Sequence, residues 1–286
     1  MVGSMFAAIS GLKAHQSKMD VIGNNIANVN TWGFKSHSAN FADATYRTSI
    51  AGGAGTATTG GGVNPSQVGY GANVNSITVN YTTGNRNPTG WGSDCMIDGP
   101  GFFVVTTAQN LDASGALKNI KDENVMLSRV GILKIDNQGY LVDDKGNYVV
   151  GSDGKTIKTN EKDANATYSS LTVQTDGTVT GVRSDAGNEG KVDKVGQIGV
   201  ASIQNPSGLE KTQGYYYRIG PNAGTVSMGA ANKATGEILG GYLEMSNTDL
   251  STEMANMITT QRGFQANTKI ITVTDQMLEE LVNMKR

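Results

Sequence analysis

Two heptad seams, one near each end of this 286-residue chain, limit what it can fold into more than any other feature. Near the start, Met5, Ala8, Leu12, His15, Met19, Ile22, Ile26 and Val29 follow at alternating steps of three and four. That spacing keeps one apolar stripe turned toward a partner helix. Near the end, Leu250, Met257, Phe264, Ile271 and Leu278 repeat every seven residues, and Met254 and Val282 hold the intervening seam beside Gln261, Thr268 and Asp275. Asp249 stands where an N-cap would accept from the free amides of the first turn.

The C-terminal helix also carries a second stripe of Ile270, Val273, Met277, Leu281 and Met284. A helix in a two-helix hairpin needs only one such face. The economical arrangement pairs the two ends of the chain as an antiparallel coiled coil. The second stripe is then left for helices of further copies or partners, so self-assembly is expected.

Between the seams the pattern changes. From about 67 to 246, short apolar runs alternate with turn chemistry, as in "LKIDNQGYLVDDKGNYVVGSDGK" and "LTVQTDGTVTGV", which marks hairpins. Two polar stretches, 109–125 and 183–194, read as surface excursions. Before this zone, "AGGAGTATTGGGVNPSQ" has no period and reads as a flexible connector. The expected fold is α+β and mainly β. Residues 1–30 and 247–286 form a terminal-helix coiled-coil domain, 31–66 an extended connector, and 67–246 a central antiparallel β domain. With 38 glycines and only 6% aromatic residues, the core must be spread over many short segments.

Several functions are excluded or disfavoured by composition. Lys and Arg number 23 against 25 Asp and Glu, with no run of five like charges, so the clustered basic footprint of a nucleic-acid binder is absent. The first Lys comes only at position 13 and Ser and Gly interrupt the apolar residues around it, so no Sec-type signal is expected. No apolar run approaches the roughly 18 residues of a spanning helix, and membrane insertion is not expected. His15 and His37 are the only histidines and Cys95 the only cysteine. No metal site, catalytic centre or cofactor is therefore expected. Cys95, beside Met96 and Ile97, reads as a small buried thiol, with a crosslink between subunits as the alternative. "DNQGYLVDDKGN" lacks the residue order of a calcium loop and reads as two linked hairpins.

Asparagine is a poor helix former, yet "MDVIGNNIANVNTWGFK" places Asn24, Asn25, Asn28 and Asn30 around the end of the first helix and off its seam. Amides that donate and accept suit a second interface, so these residues are expected to face neighbouring subunits. The plainer alternative is that they only terminate the helix before Gly33.

The same stretch, with "NPSQVGYG" at 64–71, "IDGPGFF" at 97–103 and "GYLEMSNTDLSTEMANMITTQRGFQANTKIITVTDQMLEELVNMK" at 241–285, resembles the bacterial flagellar rod and hook proteins. The likeness covers both termini and the start of the β domain, and is closest to hook subunits of a short form. It implies a helical homopolymer whose terminal helices line a channel, with the β domain outside. The tube would act as a flexible universal joint passing motor torque to the filament. The distal rod, a stiff driveshaft, is the alternative. The resemblance further implies an extracellular location in the flagellum and export by the flagellar type III apparatus without a cleaved signal. Expected partners are other copies, the distal rod protein, the hook–filament junction protein and the hook cap. No enzymatic activity is implied. Family motifs match Asn24, Asn25, Asn28, Gly33, Phe34 and Lys35, then Gly99, Gly101, Phe102 and Phe103, then Gln261, Arg262, Asn267 and Asp275. Together with the seam positions, the expected assembly interface comprises Leu12, Met19, Ile22, Asn24, Asn25, Ile26, Asn28, Gly33, Phe34, Leu250, Met257, Gln261, Arg262, Phe264, Asn267, Ile271 and Leu278.

Overall fold

Both seam segments are helical in the computed structural model, which describes residues 2–55, 61–112, 115–117, 125–159, 168–185, 189–232 and 235–284. Helix α1 spans Val2–Ala27 and α2 spans Leu250–Met284. Asp249 caps α2, its carboxylate accepting from the Ser251 amide at 3.1 Å and the Thr252 hydroxyl at 2.6 Å. These bonds hold its carboxyl below the usual carboxylate range, the Thr252 hydroxyl contributing most. No helix among the described residues is long and apolar enough to cross a membrane.

The chain divides into two units. The first comprises residues 1–27, 37–80 and 249–286, and the second residues 28–36 and 81–248. In the first unit α1 and α2 pack side by side. Gly11 lies against Asn267, Gly263 against the His15 ring, and Asn25 against Glu253. As one number rises the other falls by the same amount, so the helices run antiparallel.

The face that α2 turns inward differs from the expected seam. Met257, Phe264 and Ile271 are half-buried as expected, but their alternating partners are Thr260, Asn267 and Thr274 rather than Gln261, Thr268 and Asp275. Thr260 and Thr274 are buried, and each hydroxyl donates to the carbonyl four residues back, on Asn256 and Ile270, at 2.7 Å. This back-bonding satisfies a hydroxyl that would otherwise be costly in a seam. Threonine carries no apolar signature, which is why periodicity placed the seam one step aside.

Part of the segment expected as an extended connector is paired β-structure in this same unit. Strand β1 (His37–Asp43) pairs antiparallel with β4 (Ala72–Val79), and β2 (Tyr46–Ile50) with β3 (Ser66–Gly69). The β2–β3 ribbon continues to Gly53 and Val63, which exchange two backbone hydrogen bonds of 2.9 and 3.0 Å. Residues 56–60 of the glycine-rich stretch lie outside the described residues. Both strands of this ribbon are exposed at every position. With no buried face they show no alternation of apolar and polar residues, and the sequence reads as aperiodic. Gly71, at φ +108°, lets the turn before β4 touch α1, where an added Cβ would collide with Ser10 and Ala7.

The second unit is the β-rich one. Its strands are β5 (Arg86–Pro88), β6 (Cys95–Asp98), β7 (Phe102–Thr106), β8 (Val125–Ser128), β9 (Leu133–Ile135), β10 (Leu141–Asp143), β11 (Tyr148–Val149) and β12 (Tyr168–Val173). There follow β13 (Thr178–Arg183), β14 (Val192–Gln197), β15 (Gly199–Ile203), β16 (Leu209–Lys211), β17 (Tyr216–Ile219), β18 (Val226–Ala230), β19 (Glu237–Gly240) and β20 (Tyr242–Glu244). All the pairings are antiparallel. The main sheet runs β16-β17-β8-β7-β11-β10-β9, with β15 bridging β7 and β18. Strand β7, "FFVVT", is buried throughout. Phe103 and Val105 enter one apolar cluster and Phe102 and Val104 another, so this strand joins both cores. "DNQGYLVDDKGN" forms the two linked hairpins β9-β10-β11. Cys95 is fully buried in the first cluster, and burial pushes its thiol well above the ordinary range, leaving no accessible sulfur for a crosslink. Of the expected surface excursions, 113–114, 118–124 and 186–188 lie outside the described residues.

The Gly263 contact yields a prediction whose sign opposes helix propensity. Alanine is about 1 kcal/mol better than glycine inside a helix. Here an added Cβ would come within 2.7 Å of the His15 ring, and such overpacking costs about 1–3 kcal/mol. Thermal unfolding of Gly263→Ala is expected at a lower temperature than wild type, whereas the same exchange in a His15→Ala background is expected to stabilise. A stabilised single variant would show that the helices are not in this register.

Candidate functional site

The chain crosses from one unit to the other four times, after Ala27, Ser36, Asn80 and Thr248. Polar side chains gather the chain ends on each side of these crossings. In the first unit the gathering residue is Asn25, which is fully buried. Its amide nitrogen donates to the His37 carbonyl at 2.8 Å and to Glu253 Oε1 at 2.9 Å, while its oxygen accepts from the His37 amide at 2.9 Å. One side chain thus imitates a β-bridge to the start of β1 and ties the end of α1 to the first turn of α2. Only an amide supplies donors and an acceptor together in this way.

In the second unit the gathering residue is Glu244, at the end of β20 and 1% exposed. Its carboxylate accepts from Lys35 Nζ at 2.6 Å, Arg129 Nε at 3.0 Å and the Gly84 amide at 2.9 Å. Lys35 also donates to the Thr82 carbonyl at 2.7 Å, and Arg129 to the carbonyls of Gly99 (2.6 Å) and Gly101. The Arg129 guanidinium lies over the Phe102 ring at 5.5 Å. Burial, and next the Arg129 charge, lower the Lys35 ammonium to about 8 against the pull of Glu244. Gly33, at φ +62°, donates its amide to the Glu244 carbonyl at 2.8 Å, and an added Cβ there would strike Val130. Asn247 completes the group, accepting from the Ser36 amide at 2.7 Å and donating to the Thr82 carbonyl at 3.2 Å.

The expected interface residues therefore separate into groups. Ile22 is buried, and Leu12, Met19, Ile26, Met257, Phe264, Asn267 and Ile271 are half-buried in the first unit. Asn24, Gln261 and Arg262 are exposed, as are Leu250 (43%) and Leu278 (38%). Gly33 and Phe34 are buried in the second unit, where Lys211 Nζ sits 4.4 Å above the Phe34 ring. Asn25 differs from the expectation of a uniform amide face, because its hydrogen bonds are made inside its own chain. Asn28 and Asn30 lie beyond the end of α1, and the Asn28 side chain accepts from the Thr31 hydroxyl at 3.1 Å. Arg129, Glu244, Asn247 and Glu253 were not singled out in the sequence. Among them only Glu244 carries a local signal, a charge set between apolar neighbours in Leu243-Glu244-Met245. Among the described residues, no group of three or more His, Cys, Asp or Glu comes together as a metal site.

Two predictions follow from this geometry. Asn25→Asp is nearly isosteric but turns an oxygen toward Glu253 and the His37 carbonyl. Chemical denaturation should show a loss of about 2–3 kcal/mol, as for a buried hydrogen-bonded group left unanswered, and a loss below 0.5 kcal/mol would contradict the assigned bonds. For Lys35, folded near 8 against 10.5 unfolded, the unfolded chain holds the extra proton between those values. Stability should rise with pH across that window and be unaffected by this group below it. Wild type is expected to gain stability relative to Lys35→Met between pH 7.5 and pH 10 in urea titrations; a constant difference would refute it.

Residues 5–35 match the family model described as flagella basal body rod protein, and residues 239–284 match that of the C-terminal part of the flagellar basal body rod FlgEFG proteins. Asn25, Lys35, Glu244, Asn247 and Glu253 all lie inside these two segments. The chain is 42% identical over 290 residues to the flagellar basal-body rod protein FlgG of Bacillus subtilis (strain 168), with both chains covered in full. It is 31% identical over 289 residues to FlgG of Borreliella burgdorferi, again covering both chains. Against the flagellar hook protein FlgE of that organism, identity is 27% over 446 positions, with both chains covered. Likeness to rod proteins thus exceeds likeness to this hook protein, reversing the order drawn from the motifs. The alignments to the rod proteins run over 290 and 289 positions, close to the 286 residues of this chain, whereas that to the hook protein runs over 446. The chain belongs to the flagellar basal-body rod and hook protein family, whose members are structural components and not enzymes.

Proposed function

We propose that this chain is a subunit of the flagellar rod, polymerising into a stiff helical tube that transmits torque. Its terminal helices pack as coiled coils with those of other copies, and the β-rich unit forms the outer layer. The location in the flagellar basal body and export without a cleaved signal go with this reading.

The observation that carries the assembly is the length of α2. Because paired residues of the two helices run in opposite order, Val2 at the start of α1 stands opposite the region just before Met277. The inward face nevertheless continues at Leu278, which is 38% exposed. Alongside lies the second stripe, with Ile270, Val273, Met277, Leu281 and Met284 all at least 40% exposed. An apolar surface of this extent on one helix is a docking surface, and a second copy supplies helices of matching period. Rod in preference to hook is supported by the 42% identity over the full length of the rod relative.

Leu278→Asp combined with Leu281→Asp tests the assembly. Both side chains are exposed in the single chain, so its helix content should be unchanged. Sedimentation at high concentration should show polymers for wild type and single chains for the variant, and unimpaired assembly of the variant would refute the reading. Electron microscopy of the wild-type tubes separates rod from hook, since straight tubes are expected and curved, supercoiled ones would favour the hook.

A further inference from the structure

The β-rich unit holds a groove of about 630 Å³ that takes no part in the contacts described above. That volume falls within the roughly 300–1,000 Å³ of small-molecule sites. One wall is β9 with Ile132 before it, the other is the first half of β12, and the turn 90–94 closes one end. Leu133 and Leu171 are buried in its floor.

The turn is fixed at several points. The Asp94 amide donates to the Trp91 carbonyl at 3.2 Å, the Gly241 amide to the Asp94 carbonyl at 2.7 Å, and the Val173 amide to the Gly92 carbonyl at 3.3 Å. Gly92 passes so close to β12 that an added Cβ would strike the Leu171 carbonyl. On this pinned backbone the Trp91 side chain is nevertheless 72% exposed. An indole so placed leaves a flat apolar face open beside the groove.

Asp94 is the second anomaly. It is 8% exposed, yet its carboxylate has no hydrogen-bond or ion-pair partner among the described residues. Lys134, the cation that lines the same groove, has its ammonium on Asp144 at 2.5 Å. A buried carboxylate without a donor is costly, and such groups are ordinarily answered. Donors for Asp94 must therefore arrive through the groove.

These features together specify a ligand. It needs an apolar face to lie on Trp91, donors for Asp94, and an apolar group for Leu133 and Leu171. A pyranose ring carries C–H groups on its faces and hydroxyls around its edge. An acetamido substituent adds an N–H close to a methyl, which matches a carboxylate set close to leucines. A lone cation would answer Asp94 but leave the leucine floor and the hydroxyls of Ser93 and Ser170 unused.

We propose that the Trp91 groove binds an N-acetylated oligosaccharide, with a sugar ring stacked on Trp91 and Asp94 accepting from its amide and hydroxyl groups. The site lies wholly within the β-rich unit, so it adds a ligand to the chain independently of polymerisation.

Calorimetric titration of the full wild-type chain, below the concentration at which it assembles, tests this. The trimer of N-acetylglucosamine should bind at one site, about tenfold tighter than the trimer of glucose, as for one added hydrogen bond and one covered methyl. Trp91→Ala should weaken binding about tenfold, as for a stacked aromatic anchor. Trp91→Phe should restore most of the affinity, which a residue needed only for the turn would not do. Asp94→Asn keeps the shape and removes the charge, and should also cost about tenfold. The circular dichroism of all three variants should match wild type. Absence of saturable binding up to about 10 mM trimer, equal affinity for the two trimers, or affinity unmoved by both Trp91→Ala and Asp94→Asn would overturn the proposal. Binding of triarginine that both substitutions abolish, without binding of either trimer, would overturn it too, because the groove would then be a cation site. All of these results are read on the single chain, so failure here leaves the rod reading to its own sedimentation test.

Discussion

A carboxylate shut away from water has to be answered by the chain around it, and Glu244 is answered by two cations and a backbone amide. Removing one partner from such a buried group costs several kcal/mol, because the remaining charge cannot be rehydrated. The arrangement therefore acts less as a source of stability than as a condition on the fold. Gly33, Lys35, Gly84, Arg129 and Glu244 come from four separated stretches of chain, and the charges are satisfied only when all four are in place. Asn25 imposes the same condition in the first unit with neutral hydrogen bonds. A chain that crosses between units four times needs its ends sorted, and polar groups sort them because their partners are directional, whereas apolar contacts accept many near-equivalent packings.

Much of the fold was legible because burial leaves a period. The two helices, the Asp249 cap and the hairpins of 133–149 all place apolar or turn residues where elementary geometry requires them. The failures have physical causes too. The inward face of α2 contains Thr260 and Thr274, whose hydroxyls are satisfied by their own helix, so their burial leaves no apolar mark. The β2–β3 ribbon has no buried face and so no alternation. Of the polar group around Glu244, Gly33 and Lys35 match a family motif position by position, while Glu244 and Asn247 stand inside the quoted C-terminal stretch with nothing to mark them out. Arg129 and Glu244 meet across 115 residues of sequence, a pairing no local pattern encodes.

The asparagines show how the two kinds of reading combine. Setting them against the heptad puts all four off the expected seam, yet Asn25 is buried and meets Glu253 in the first turn of α2. Asn25 lies where the helix flank is covered by β1 and the start of α2, and there its amide serves the chain itself. Asn24, one step round the helix, is exposed. Adjacent residues with the same chemistry therefore answer to different neighbours, and only the packing of β1 against α1 separates them.

Energetics also bear on why a subunit of this kind would carry more than one docking surface. Each half-exposed apolar side chain on the outer stripe of α2 returns about 1 kcal/mol when covered, while fixing one chain against another costs on the order of 4–15 kcal/mol. One stripe alone is thus poorly matched to that cost, and an isolated pair of chains held by it would be weak. In a helical lattice each added copy meets several neighbours at once, so all of its contacts share a single loss of freedom. Weak pairing and strong addition to an existing end are then properties of the same surfaces. That combination lets a subunit remain separate until a growing end presents all of its neighbours together.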